Sequence, residues 1–95
     1  MTKIDEIAAE GKCANVEGTI IFVGEIQKTP AGAENRECIL QDDSGQIKLV
    51  LWDAQVNQFK KGDKVILPAL WVKRFPREGG DFQISTGKFG KIVKQ

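Results

Sequence analysis

Histidine and tyrosine are absent from the 95 residues, and cysteine occurs only twice. Without histidine the chain lacks the commonest general base and the commonest metal ligand. Cys13 and Cys38 stand 25 positions apart, each without a close cysteine neighbour. A zinc site draws on closely spaced pairs, so no metal and no cofactor are expected. The two thiols read as free and buried in a reducing cytosol, with a disulfide between them as the lesser alternative. No apolar run approaches the roughly 20 residues of a membrane span. The start, Met1-Thr-Lys-Ile-Asp-Glu, carries charge where a signal peptide would be building its apolar stretch. A soluble, cytoplasmic protein without membrane contact is therefore expected. Enzymatic activity is not, because no nucleophile–base pair and no phosphate-cradling loop stands out. Asp42-Asp43 is the one carboxylate pair in a turn setting. Ser44-Gly45 follows it, which fits turn chemistry better than acid–base catalysis.

What is present suits one small domain. Apolar residues make up 41% of the chain, with two Trp and five Phe for bulk, which is enough for one core. The net charge of +1 conceals an asymmetry. Residues 1–59 hold five Lys/Arg against ten Asp/Glu (−5), and residues 60–95 hold nine against three (+6). A basic surface facing a polyanion would produce that pattern.

Along the chain, Ile4, Ile7 and Ala8 suggest one helical turn, with Thr2 and Asp5 as capping pair and Gly11 as its end. A first strand is expected from about Ala14 to Ile26, bent at Gly18 so that it can pair with two neighbours. Gln27 to Asn35 reads as a loop. Arg36–Gln41 and Gln46–Trp52 form a hairpin across Asp42–Gly45. Asp53 to Lys61 reads as a short helix, capped by Asp53, burying Val56 and Phe59 and stopped by Gly62. Lys64–Phe75 is the fourth strand, with Pro68 marking an edge or bulge. Phe82–Thr86 is the fifth, and the Lys-rich end trails off. Three strands, a short helix and two strands describe an all-β, five-stranded OB-fold barrel filling residues 1–95.

Alternation within Gln46–Trp52 puts Ile47, Leu49 and Leu51 on one face and Lys48, Val50 and Trp52 on the other. A cation beside the largest aromatic is an odd choice for plain solvent. Trp71, Lys73 and Phe75 alternate onto one face of the fourth strand, so Trp52, Trp71 and Phe75 can reach one groove. Lys48, Lys73, Arg74 and Arg77 lie near these aromatics in sequence, and Lys28 and Arg36 flank the first loop. Arg74 has the opposite parity from Trp71 and Phe75. Phe82 is ambiguous between core and groove wall, and Phe22, Phe59 and Phe89 are assigned to the core or its ends. Exposed aromatics among cations suit a flexible polyanion with flat bases: rings stack on bases and cations neutralise phosphates.

The run Cys38-Ile-Leu-Gln-Asp-Asp-Ser-Gly-Gln-Ile-Lys-Leu-Val-Leu-Trp52 resembles the nucleic-acid-binding OB-folds of replication protein A and the short single-stranded-DNA-binding proteins of archaea. Lys60-Lys-Gly-Asp-Lys-Val65 is similar to the helix exit of those domains. The resemblance runs from about Ile4 to Ile92. It implies that Trp52, Trp71 and Phe75 stack on DNA bases, in a nucleoid-associated protein serving replication, repair or recombination. It also implies single-stranded DNA, or single-stranded RNA, as ligand, with replication and repair proteins as further partners. The tail that the archaeal proteins carry has no counterpart within these residues. That fits a monomer or one domain of a larger assembly. Two other readings remain open: a protein-interaction OB domain, and an RNA-binding domain of the tRNA-anticodon type.

Overall fold

A computed structural model describes residues 2–75, 81–87 and 90–95. Among these the fold is all-β. After a 3₁₀ turn at Ile4–Glu6 come β1 (Gly11–Lys28), β2 (Glu34–Gln41), β3 (Gln46–Trp52), a second 3₁₀ turn (Asp53–Asn57), β4 (Lys64–Phe75), β5 (Asp81–Ser85) and β6 (Val93–Lys94). The sheet runs β1-β2-β3-β5-β4, and pairing of β1 with β4 closes these five strands into a ring. No helix among the described residues is long and apolar enough to cross a membrane. Both cysteines are free thiols, and burial pushes the Cys38 thiol up despite the nearby Arg36 charge.

Closure depends on β1 serving two partners. Gly11 to Thr19 pairs with β4, and Thr19 to Lys28 with β2. The bend expected at Gly18 falls at this handover. A Cβ on Gly18 would lie 2.7 Å from the Gln41 carbonyl oxygen and 3.0 Å from Leu40 Cγ, so only glycine lets β2 approach. Beyond it the β1–β2 register slips twice, between Ile20 and Phe22 and between Val23 and Ile26. Each slip adds one residue to β1 and increases its curl around the core. Pro68 causes no slip: Ala14↔Ala69 and Val16↔Leu67 flank it in one register. It lies in a part of β4 that neither β5 nor β6 covers.

The inward face follows from alternation. Val16, Ile20, Cys38, Leu40, Leu49, Leu51, Leu67 and Ile84 are buried together, and Val56 and Phe59 close one end. Each such aliphatic side chain contributes about 1.5–3 kcal/mol.

Several expectations are corrected. The N-terminal turn is held by Glu6, whose carboxylate accepts the Lys3 N–H (2.8 Å), not by Thr2 and Asp5. Thr2 instead donates to Ala14 O (2.8 Å) and forms a bridge with Val16. Gly11 opens β1 rather than ending the turn. The chain end does not trail off, because β6 pairs with β4 and the Gln95 N–H donates to Lys64 O (2.8 Å). The helix expected to reach Lys61 stops at Asn57. Continuation would need the Lys60 N–H on the Val56 carbonyl. That carbonyl instead accepts from Arg36 (2.8 Å), and the Lys60 N–H donates to Asp63 (2.9 Å). Gly62 then turns with φ +97° and donates to Ile20 O (2.7 Å). Asp53 does not cap this turn: with φ +47° it aims Oδ1 at the Glu34 N–H (3.0 Å).

Asp42 and Asp43 are turn and anchoring groups. Asp42 accepts from the Ser44 N–H (2.7 Å), Ser44 hydroxyl (2.6 Å), Gly45 N–H (3.1 Å) and Ile4 N–H (2.9 Å). Asp43 pairs with Lys3 (2.6 Å). Burial alone would raise the Asp42 pKa, but these donors hold it below its ordinary 3.8. Asp63 is lowered too, first by the Lys60 N–H and then by Lys94, whose ammonium lies 3.4 Å away.

Two outcomes are expected. Gly18→Ala should cost about 1–3 kcal/mol in urea melts, because the added methyl meets backbone. A carboxylate with a depressed folded pKa supports the fold above its ordinary value and loses that support as pH falls through the folded one. Stability should therefore hold above about pH 5 and decline below about pH 4. Asp63→Asn should be weaker than wild type at pH 7 and approach it as the pH drops.

Candidate nucleic-acid interface

Residues paired across neighbouring strands share a face. Trp52 is opposite Asn35, Glu37 opposite Val50, Lys48 beside Gln83, Gln83 opposite Lys73, and Ser85 opposite Trp71. These residues therefore lie on one outer face spanning β2, β3, β5 and β4. Across it runs an open groove of about 570 Å³, lined by Val50, Trp52, Trp71, Lys73, Gln83 and Ser85, among others. Both tryptophans of the chain thus line one groove together with Lys73. Trp52 is half-buried and Trp71 is 48% exposed. Val50 faces outward with them yet is only 6% exposed, because its neighbours crowd over it.

Trp71 stands between this groove and a second hollow that includes Lys12, Cys13 and Pro68. The Lys12 ammonium lies 5.2 Å from its ring centroid, a cation–π contact. Lys12 also sits opposite Trp71 in the β1–β4 register. Sequence reasoning missed it by starting β1 at Ala14.

A buried amide ties the groove's walls together. The Trp52 N–H donates to Gln55 Oε1 (3.1 Å). Gln55 Nε2 donates to Thr86 Oγ1 (2.8 Å), Gly90 O (3.1 Å) and Gly87 O (3.3 Å). Gln55 and Thr86 are both buried, so these bonds lie where an unmade one is expensive. The end of β3, carrying Trp52, is thereby fixed to the segment leaving β5, where Gly87 lines the groove.

The other named residues divide. Arg36 shares the inward parity of Cys38 and Leu40. Its guanidinium donates to Gly24 O (2.7 Å) and Val56 O (2.8 Å), so it bridges β1 and the 3₁₀ turn rather than facing a phosphate. Arg74 also departs from the expectation. It packs 4.7 Å from the Phe82 ring centroid, its Nε is buried without a partner among the described residues, and it does not line the groove. Phe82 is half-buried against the core and lines an adjoining hollow of about 490 Å³ with Lys48, Ile39 and Gln83. Lys48 pairs with Glu37 at 2.8 Å. Lys28 is exposed at the end of β1, opposite Glu34, one pair beyond the Asn35–Trp52 row. Phe75 ends β4 opposite Asp81. The side chain of Phe75, together with Arg77 and Phe89, lies outside the described residues. Phe22, expected inside, is 55% exposed on the outer face.

No protein-family model matches the chain. Among the described residues no group of three or more His, Cys, Asp or Glu could hold a metal ion.

The two kinds of cation should separate in melts. Arg36→Ala leaves two carbonyls without their donors and should cost about 1–3 kcal/mol. Lys73→Ala, on the exposed face, should change stability by no more than about 0.5 kcal/mol. Equal costs would contradict the division.

Proposed function

We propose that this chain is a non-enzymatic, sequence-tolerant binder of single-stranded DNA, built on an OB-fold barrel and acting in replication, repair or recombination. The observation that carries this reading is the convergence of Trp52, Trp71 and Lys73 on one open groove. The ring order with its β1–β4 closure, and the turn between β3 and β4, support the OB reading. A strand laid along the groove would stack bases on the two indoles, each worth about 1–3 kcal/mol, without reading base identity. Lys73 and Lys12 flank the stack and would neutralise phosphates as counterions leave. Stacking does not distinguish sugars, so single-stranded RNA would bind unless a contact sensed the 2′-hydroxyl.

Because both tryptophans line the groove, intrinsic fluorescence reports on it directly. Titration with oligothymidine should quench the emission, less so at higher salt. Trp52→Ala and Trp71→Ala should each weaken binding by about 1–3 kcal/mol while the protein stays folded. Lys73→Ala should flatten the plot of log affinity against log salt by about 0.7. Absence of quenching at low salt would sink the stacking reading and leave the groove to a peptide of a partner protein.

A further inference from the structure

Phe22 departs most from plain alternation. It lies opposite Ile39 of β2, Ile39 opposite Lys48 of β3, Lys48 beside Gln83 of β5, and Gln83 opposite Lys73 of β4. Phe22 and Lys73 are thus the two ends of one row across the outer face. The tryptophan groove and the adjoining hollow share Gln83, and that hollow runs on past Lys48 to Ile39, the cross-strand neighbour of Phe22. A Cβ on Gly24 would lie 3.6 Å from Phe22 Cε2. The ring therefore leans forward along β1 over Gly24, towards the row that holds Val50 and Trp71. An aromatic ring held 55% exposed on a sheet face forgoes much of its burial free energy unless a ligand covers it.

We propose that Phe22 is a stacking platform for a further nucleobase of the strand that meets Trp52 and Trp71, so that the strand crosses the whole outer face from β4 to β1. The proposal rests on the single-strand reading above. Continuity of the two depressions and the position of Lys48 within the row point to nucleic acid as the occupant. In the free protein Glu37 holds Lys48 at 2.8 Å, with both side chains about half exposed. An ion pair that exposed is weak, so an arriving phosphate can take Glu37's place.

The test compares oligothymidines of about 4 and about 12 nucleotides, the lower and middle range for one such domain. Two strand spacings, roughly 10 Å, separate β1 from β3, so the short oligomer can fill the tryptophan groove without reaching Phe22. Phe22→Ala should weaken the longer oligomer about 5- to 150-fold and leave the shorter unchanged. Phe22→Trp, placed in a Trp52→Phe/Trp71→Phe background, should give emission that only the longer oligomer quenches. If wild-type emission is quenched but Phe22→Ala binds both lengths like wild type, this proposal fails and the single-strand reading stands. If neither length quenches wild type, both fail. A Phe22→Ala protein whose only change is loss of self-association in sedimentation would overturn the proposal in favour of a contact between copies of the chain.

Discussion

The structure depends on one strand keeping two partners. β1 hydrogen-bonds β4 with its first half and β2 with its second, and only that double service turns a five-stranded sheet into a ring. The constraint is local at its hardest point: backbone must pass backbone at Gly18, where the Gln41 carbonyl leaves no room for a methyl. Closure pairs the edges that a flat five-stranded sheet would expose and gives the aliphatic side chains of the core a common interior. It also curls the outer face, so that strands distant in sequence present side chains to one groove.

A second layer of dependence sits on Gln55. Trp52 ends its strand, where a chain would ordinarily fray. The Gln55 side chain holds its N–H and, through Thr86, Gly87 and Gly90, anchors it to the segment after β5. Arg36 does similar work on the other side of the turn, tying Gly24 of β1 to Val56. The turn stays short because the Val56 carbonyl that would have extended a helix is already bound by Arg36, while the separate bonds of Gln55 fix the end of β3 that carries the tryptophan.

Much of this was legible in the residues. The bounds of β3 and β4, the bend at Gly18 and the shared parity of Trp52 with Val50 and Lys48 all follow from alternation and turn chemistry. Arg36 was misplaced although its parity, in step with Cys38 and Leu40, already pointed inward. The expectation followed its charge and overlooked that backbone carbonyls at the end of a ring need donors. Phe22 was beyond such reasoning. It lies two residues after Ile20, so unbroken alternation puts both inside, and the register slip between them reverses the face. A bulge of one residue is invisible to a period-two pattern, and Gly24 signals irregularity without saying which way the ring turns.

With Arg36 and Arg74 engaged in the fold, the described cations that line the groove or the hollows beside it are Lys73, Lys12, Lys91 and Lys48. The last is held by Glu37, and Lys12 lies over the Trp71 ring. The outer face joins β2 and β3 of the acidic first half to β5 and β4 of the basic second half, so its described cations share the face with carboxylates such as Glu37. Counterion release at two or three phosphates would supply only a shallow dependence on salt. In the proposed complex the larger share of affinity then falls to the aromatic faces, and the rigidity of their setting matters more than the sum of charge. A base stacks well only on a ring that does not have to be ordered first. The buried amide of Gln55 behind Trp52 and the lysine over Trp71 both provide that order before any ligand arrives.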